Sequence, residues 1–327
     1  MNPRGNPPAL ATGVACAVGA GLVWGLVFVA PLMLADYPAA ALSIGRYLAF
    51  GLIALPLAIL QRRELARLAR ADWLEALRLA LVGNLMYYAS LAAAIQLAGG
   101  ALPTLIIGTL PLVISVVSNL GTRELPWRSL GWALALIAAG LLCVHVREWP
   151  VASEALSNST LEASTDPVLG LLLALLALVC WTWYPIRNAR WLKHRGVVSA
   201  SAWATAQGLA TLPLAMAAAL LSLAWLQGDQ TVHANRYDWP LGPRPADFLA
   251  AMFAMGLLAS WLGTWLWNRA AERLPTALSG QLIVFETIAA LIYVFVLRGQ
   301  APDAITLLGI ALLLIGVLAG IRAVVSR

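Results

Sequence analysis

Two ionisable side chains stand where a charge is costly. Glu286 lies in an otherwise apolar run, eleven residues past Pro275 and twelve before Arg298. At 1.5 Å per helical residue those intervals are about 16 and 18 Å, near the middle of a ~30 Å hydrocarbon core. Arg46 lies eight residues beyond Pro38, about 12 Å in from the nearer boundary. A charge at such depth costs at least ~2.5 kcal/mol, so it marks a function or a partner. A guanidinium clamps a carboxylate and a carboxylate holds an ammonium. Arg46 and Glu286 together are therefore the expected reader of a zwitterion, and Glu286 is the candidate for proton coupling. The bland readings stay open: a structural ion pair joining two helices, or an Arg46 that snorkels outward.

Other side chains are candidates on weaker grounds. Trp24, Trp181, Tyr47 and Tyr88 offer stacking faces for flat or cationic cargo, although Trp and Tyr belong by default to membrane interfaces and helix packing. Asn84, Gln207 and Gln281 lie within apolar runs and need partners, either solute or neighbouring helices. Pro31, Pro103, Pro111, Pro185 and Pro213 can kink or interrupt helices and so free backbone groups for a ligand. No catalytic or metal-ligating set is expected. His145, His194 and His233 are far apart, and Cys16, Cys143 and Cys180 form no Cys-x-x-Cys pair. His-Glu-x-x-His, phosphate-loop and Gly-x-Ser-x-Gly motifs are absent. No cofactor is implied, and the chain is not expected to be an enzyme. A membrane-embedded enzyme or a non-transporting membrane protein is the alternative from a different class.

The elements that hold these residues are hydrophobic. Of 327 residues 61% are hydrophobic and 11% charged, with a mean hydropathy of +0.82, against about half and a quarter in a soluble domain. Apolar runs bounded by charge, Pro and Gly predict ten transmembrane helices, at about 10–34, 38–60, 74–95, 100–120, 129–146, 168–186, 199–226, 247–268, 277–297 and 304–324. Placed on alternating sides, sixteen of the 21 lysines and arginines fall on one face with both termini and four on the other, with Arg46 inside a span. The positive-inside rule then puts both termini in the cytoplasm. The net charge of +6 is on this reading a topology signal, so nucleic acid is not an expected partner; the lipid bilayer and a small-molecule solute are.

The chain also repeats itself. A shift of 157 places Trp24 on Trp181, Gly51 on Gly208 and Leu55-Pro56-Leu57 on Leu212-Pro213-Leu214. Farther on, a shift of 176 places Ala101-Leu102 on Ala277-Leu278, Pro126 on Pro302 and Gly140 on Gly316. Five spans per repeat is an odd number, so the second repeat enters the membrane the other way up. Such inverted repeats are found in many secondary transporters, with the solute site near the midplane between halves. The expected division is a first repeat at 10–147, an extracytoplasmic linker at 148–167 and a second repeat at 168–325. The first span carries small residues at every fourth place, Gly13, Ala17, Gly21 and Gly25, a face that admits another helix closely.

At this level of detail the chain resembles a known family. WGLVFVAPL, GRYLAFGLIALPLAIL, GNLMYYASLAAAIQLAG and IGTLPLVI in the first half, with CWTWYPIRNARWL, IVFETIAALIYVFVLRGQAP and LLGIALLLIGV in the second, resemble the drug/metabolite transporter superfamily. Within it they are most similar to the ten-span EamA-type branch and its YtfF-type inner-membrane proteins. The resemblance covers roughly residues 10–324. It implies an all-helical integral protein of the bacterial cytoplasmic membrane that exports a small organic metabolite, such as an amino acid, by alternating access. A multidrug or cation extruder using Glu286 and the aromatic residues is the alternative within transport. One departure matters: the related four-span exporters use a Glu in their first helix for proton exchange, and the span from Leu10 to Leu34 holds no acid. Proton coupling of that type is not implied.

Overall fold

The computed structural model describes residues 7–34, 36–98, 101–157, 167–228, 241–299 and 301–326, and all regular structure among them is helical. α1 (Pro7–Gly25) passes through a 3-10 turn (Leu26–Phe28) into the short α2 (Ala30–Met33). Pro31 accounts for the change, since a proline cannot donate to the carbonyl four residues back and its ring crowds it. α3 (Ala39–Leu60) and the single-turn α4 (Arg62–Leu65) follow. Next, α5 (Arg70–Ala80), a π-helical turn (Leu81–Met86) and α6 (Tyr87–Ala98) form one continuous rod. α7 (Ala101–Gly108) and α8 (Leu110–Thr122) form another, stepped at Thr109, where Pro111 crowds the carbonyl of Ile107. α9 (Trp127–Ser157) is unbroken, and its last residues extend into the segment expected to be linker. Residues 158–166, the rest of that linker, lie outside the described residues.

α10 (Pro167–Arg195) and α11 (Ala200–Gly228) are continuous despite Pro185 and Pro213. α12 (Pro245–Ala254), a second π-helical turn (Met255–Leu262) and α13 (Gly263–Ala271) again make one rod. α14 (Thr276–Leu282) and α15 (Val284–Arg298) meet in a step at Ile283, and α16 (Ala304–Val325) completes the described helices. Eight helices among the described residues are long and apolar enough to cross a membrane. The expected spans at 74–95 and 100–120 are not among the eight. The first is the rod that begins with Arg70, Asp72, Glu75 and Arg78, and the second is the stepped pair α7–α8.

Small residues set the helix contacts, as they must where lipid and side chains are equally apolar. A Cβ at Gly140 on α9 would lie 2.8 Å from the Gly309 carbonyl of α16, and one at Gly316 would lie 2.9 Å from the Ala133 carbonyl of α9. Because 140 meets 309 while 133 meets 316, the two helices run antiparallel. α3 and α11 meet in the same sense: Gly51 faces Leu212, and Gly208 faces Ala54 and Phe50. The small face of α1 packs as well, with Ala17 buried, Gly13 on Leu274, and Gly21 and Gly25 on α15.

Candidate functional site

The depth and rotation of Glu286 are fixed by glycines on the neighbouring helix. A Cβ at Gly21 would sit 2.9 Å from the Glu286 amide nitrogen, and one at Gly25 would sit 2.7 Å from the Ala289 Cβ. The backbones of α1 and α15 therefore touch, and the Tyr293 hydroxyl donates to the Leu22 carbonyl at 3.0 Å to hold them there. The step before Glu286 belongs to this arrangement: its amide bonds the Ile283 carbonyl, three residues back rather than four. The Glu286 side chain is half-buried. Among the described residues no side chain hydrogen-bonds or ion-pairs with its carboxylate.

Arg46 comes from α3 and is held by the second half of the chain. Its Nε donates to Ser260 Oγ at 3.0 Å, in the second π-helical turn, and its guanidinium carbon lies 5.3 Å from the Tyr47 ring centroid. The two charges therefore do not form a direct pair. The depth arithmetic predicts comparable levels for them. The helix rotations turn Arg46 toward Ser260 and leave the Glu286 carboxylate without a side-chain partner among the described residues.

The expected aromatic residues are brought together in part. Trp24 and Trp181, repeat counterparts by sequence, meet edge-on with centroids 6.0 Å apart. Trp181 also stacks on Tyr87 at 4.8 Å and on Tyr184 at 5.1 Å, and Trp267 lies 5.3 Å from Trp24. The result is one aromatic column through the contact of α1, α6, α10 and α13. Tyr47 and Tyr88 instead wall a separate cavity of about 300 Å³ between α3, α6 and α11, whose polar lining also includes Ser43 and Ser222. Arg46, Glu286, Trp24 and Trp181 do not line that cavity. Asn84 donates to Thr211 Oγ1 at 3.2 Å. Gln281 is set apart from all of these: fully buried against Gly320 on α16, neither of its amide atoms has a partner among the described residues.

A buried polar network has no motif to announce it in the sequence. The Tyr184 hydroxyl donates to Gln207 Oε1 at 2.8 Å, and the Gln207 amide donates to Asn188 Oδ1 at 3.4 Å. That same oxygen accepts the Trp203 indole N–H at 2.8 Å, while Asn188 Nδ2 donates to Asn268 Oδ1 at 2.8 Å. Asn188 and Asn268 are both fully buried. They fall at or just past the expected ends of their spans, where an amide reads as a boundary residue; the signal the sequence offers is Gln207, an amide within an apolar run that needs partners. No group of three or more His, Cys, Asp or Glu that could hold a metal occurs among the described residues.

Comparisons with known proteins agree with this architecture. The sequence matches the EamA-like transporter family twice, over residues 11–146 and again over residues 168–321. The inner membrane protein YtfF of Escherichia coli (strain K12) is 47% identical over 316 residues, covering 95% of each chain. A solved crystal structure at 18% identity superimposes with a TM-score of 0.69, covering 95% of this chain and 96% of that one, a likeness that speaks for the fold alone. Two matches that together take in most of the sequence, and a relative this similar over nearly its whole length, leave one conclusion: the chain belongs to the EamA-like transporter family.

Proposed function

We propose that this protein is a ten-span secondary transporter of the bacterial inner membrane. It consists of two inverted five-helix repeats, 10–147 and 168–325, joined by an extracytoplasmic linker, with both termini in the cytoplasm. Its cargo is a small organic metabolite such as an amino acid, moved outward by alternating access. The observation that carries this reading is the reciprocity of contacts between repeat counterparts. Gly140 meets Gly309 and Leu313, and its counterpart Gly316 meets Ala133 and Ile137, the counterparts of those two. Contacts of this kind are those of a two-fold axis. The helices so related are antiparallel, so the axis lies in the membrane plane and one half is upside down relative to the other. Matched π-helical turns at 81–86 and 255–262, and matched steps at Thr109 and Ile283, support the same relation, as does the doubled family match.

The site lies at the seam of the halves. Arg46, with its terminal nitrogens unbonded by any described residue, takes the solute carboxylate. Glu286 takes the ammonium group, and it also carries the coupling proton. Tyr47, whose ring centroid lies 5.3 Å from the Arg46 guanidinium carbon, supplies the stacking surface. Trp24 and Trp181 stand in the aromatic column and Tyr88 in the wall of the neighbouring cavity, while Asn84 keeps α11 in place through Thr211. Gln281, five residues before Glu286, faces Gly320 on α16. An ion pair between Arg46 and Glu286 would have to break before a zwitterion entered; their separation removes that cost. Counterflow of a panel of radiolabelled amino acids into liposomes holding the purified protein, with and without a pH gradient, tests the reading. Labelled solute should accumulate transiently, and both Arg46→Ala and Glu286→Gln should abolish the accumulation. Unimpaired counterflow in both variants would place the site elsewhere.

A further inference from the structure

An alternating-access carrier needs a barrier on each side of its site, and assigning such barriers in this chain rests on the proposed transport function. At the cytoplasmic end, α5 of the first half meets the end of α10 of the second. Arg187 donates from Nε to Glu75 Oε1 at 2.5 Å and from a terminal nitrogen to Oε2 at 3.0 Å. Asp72 accepts the Trp191 indole N–H at 3.1 Å and pairs with Arg195 Nε at 3.2 Å. Both carboxyl side chains are almost wholly enclosed, at 6% and 2% exposure, while the two guanidinium side chains are 44% and 49% exposed.

The repeat offsets identify the corresponding place at the outer end. The counterpart of Asp72 is Phe248, and the counterpart of Trp191 is Leu34. These two belong to one buried apolar cluster with Tyr37, Leu42 and Met252, in which the Tyr37 and Phe248 rings stack at 4.8 Å and 6°. At its rim the Tyr37 hydroxyl donates to the Leu241 carbonyl and accepts the Arg244 amide N–H, and Arg244 pairs with Asp36. Equivalent junctions between the halves are thus ionic on one side of the site and aromatic on the other.

We infer that these junctions are the two gates of the carrier, Glu75–Arg187 with Asp72–Arg195 inside and Tyr37–Phe248 outside, both shut in this structure. The chemistry of each gate suits its task. An ionic junction opens only as water reaches the enclosed carboxylates, and the half-exposed arginines already stand in water. An aromatic junction opens by giving up buried apolar area, with no charge to rehydrate. Each gate joins residues from different halves, so rocking one half against the other strains one junction as it relaxes the other.

The test uses the full chain with Cys16, Cys143 and Cys180 replaced by serine and with Ser260, which accepts the Arg46 Nε–H, replaced by cysteine. A membrane-impermeant maleimide is applied to right-side-out and to inside-out vesicles. Phe248→Ala should raise labelling from outside by about tenfold and lower cytoplasmic labelling. The double variant Glu75→Ala/Arg187→Ala should raise cytoplasmic labelling by about tenfold and lower labelling from outside, and the charge reversal Glu75→Arg/Arg187→Glu should return both rates toward the parent's. If the double variant fails to insert, Glu75→Gln, which keeps the volume and loses the charge, should shift both rates in the same directions. Unchanged cytoplasmic labelling in a folded variant would make the ionic junction a strut, and acceleration from both sides would mean general loosening; either overturns the inference. Shifted labelling in a protein that shows no counterflow would leave the gates standing and remove the cargo reading.

Discussion

The two π-helical turns occupy the same place in the two halves and hold ties of different chemistry. In the first, Asn84 donates to the Thr211 hydroxyl on α11; in the second, Ser260, 176 residues on, accepts from the Arg46 guanidinium on α3. Each tie crosses from one half to the other, but only one carries a charge. The counterparts of Arg46 and Glu286 are Trp203 and Leu110, both buried and apolar. Scaffold features are duplicated, then, and the charged groups are not. On the proposed reading this is what a carrier requires: a near-symmetric frame can rock between two equivalent poses, while a solute with distinct ends needs an asymmetric site.

The largest expected effect probes the duplicated frame. Gly140→Leu and Gly316→Leu each push a side chain into the carbonyls of the opposite helix, and each should destabilise the protein by about 3 kcal/mol. Thermal unfolding in detergent measures both. Similar losses are expected; one variant tolerated and the other unfolded would break the equivalence of the α9–α16 contacts. A smaller effect separates the two turns. Ser260→Ala leaves a guanidinium nitrogen without its bond and should cost about 2 kcal/mol, whereas Asn84→Ala removes a bond between neutral groups and should cost about 1 kcal/mol. Equal costs in unfolding titrations would contradict the distinction.

The smallest effect lies at the membrane border. The Ser199 amide N–H, and then its hydroxyl, hold the Glu64 carboxyl below the usual carboxylate range. A carboxyl lowered on folding contributes stability that is complete above its ordinary value of 4.5 and is lost as the pH falls through its folded value. Glu64→Gln should therefore cost roughly 0.3 kcal/mol at neutral pH, and parent and variant should converge below that window. A difference that persisted unchanged into acid would assign the effect to packing.

Much of the frame was legible in the sequence. Small residues at every fourth place marked the packing face of α1, where Gly21 and Gly25 meet α15, and Pro111 marked the step at Thr109. The shift of 157 singled out Trp24 and Trp181, which turn out to touch. What stayed hidden depends on rotation and packing. Span-depth arithmetic places Arg46 and Glu286 at comparable levels, but the direction each side chain takes around its helix axis is set by the neighbours, and Ser260 is the partner no spacing reveals. The step at Ile283 has no proline beside it, and the π-helical turns carry no local signature because tertiary contacts impose the wider turn. Asp72 and Glu75 lie at the start of the expected span 74–95 and belong to no motif, and only the meeting of α5 with α10 makes them buried partners of arginines.

The central claim is that one half of this chain stands upside down relative to the other, and a pair of counterparts tests it most directly. Arg70 and Ala246 are exposed and lie 176 residues apart, at the starts of equivalent rods. With a single cysteine at one or the other and no other cysteine present, an impermeant thiol reagent should modify position 70 only from the cytoplasmic side and position 246 only from outside. Modification of both from the same side would contradict the account.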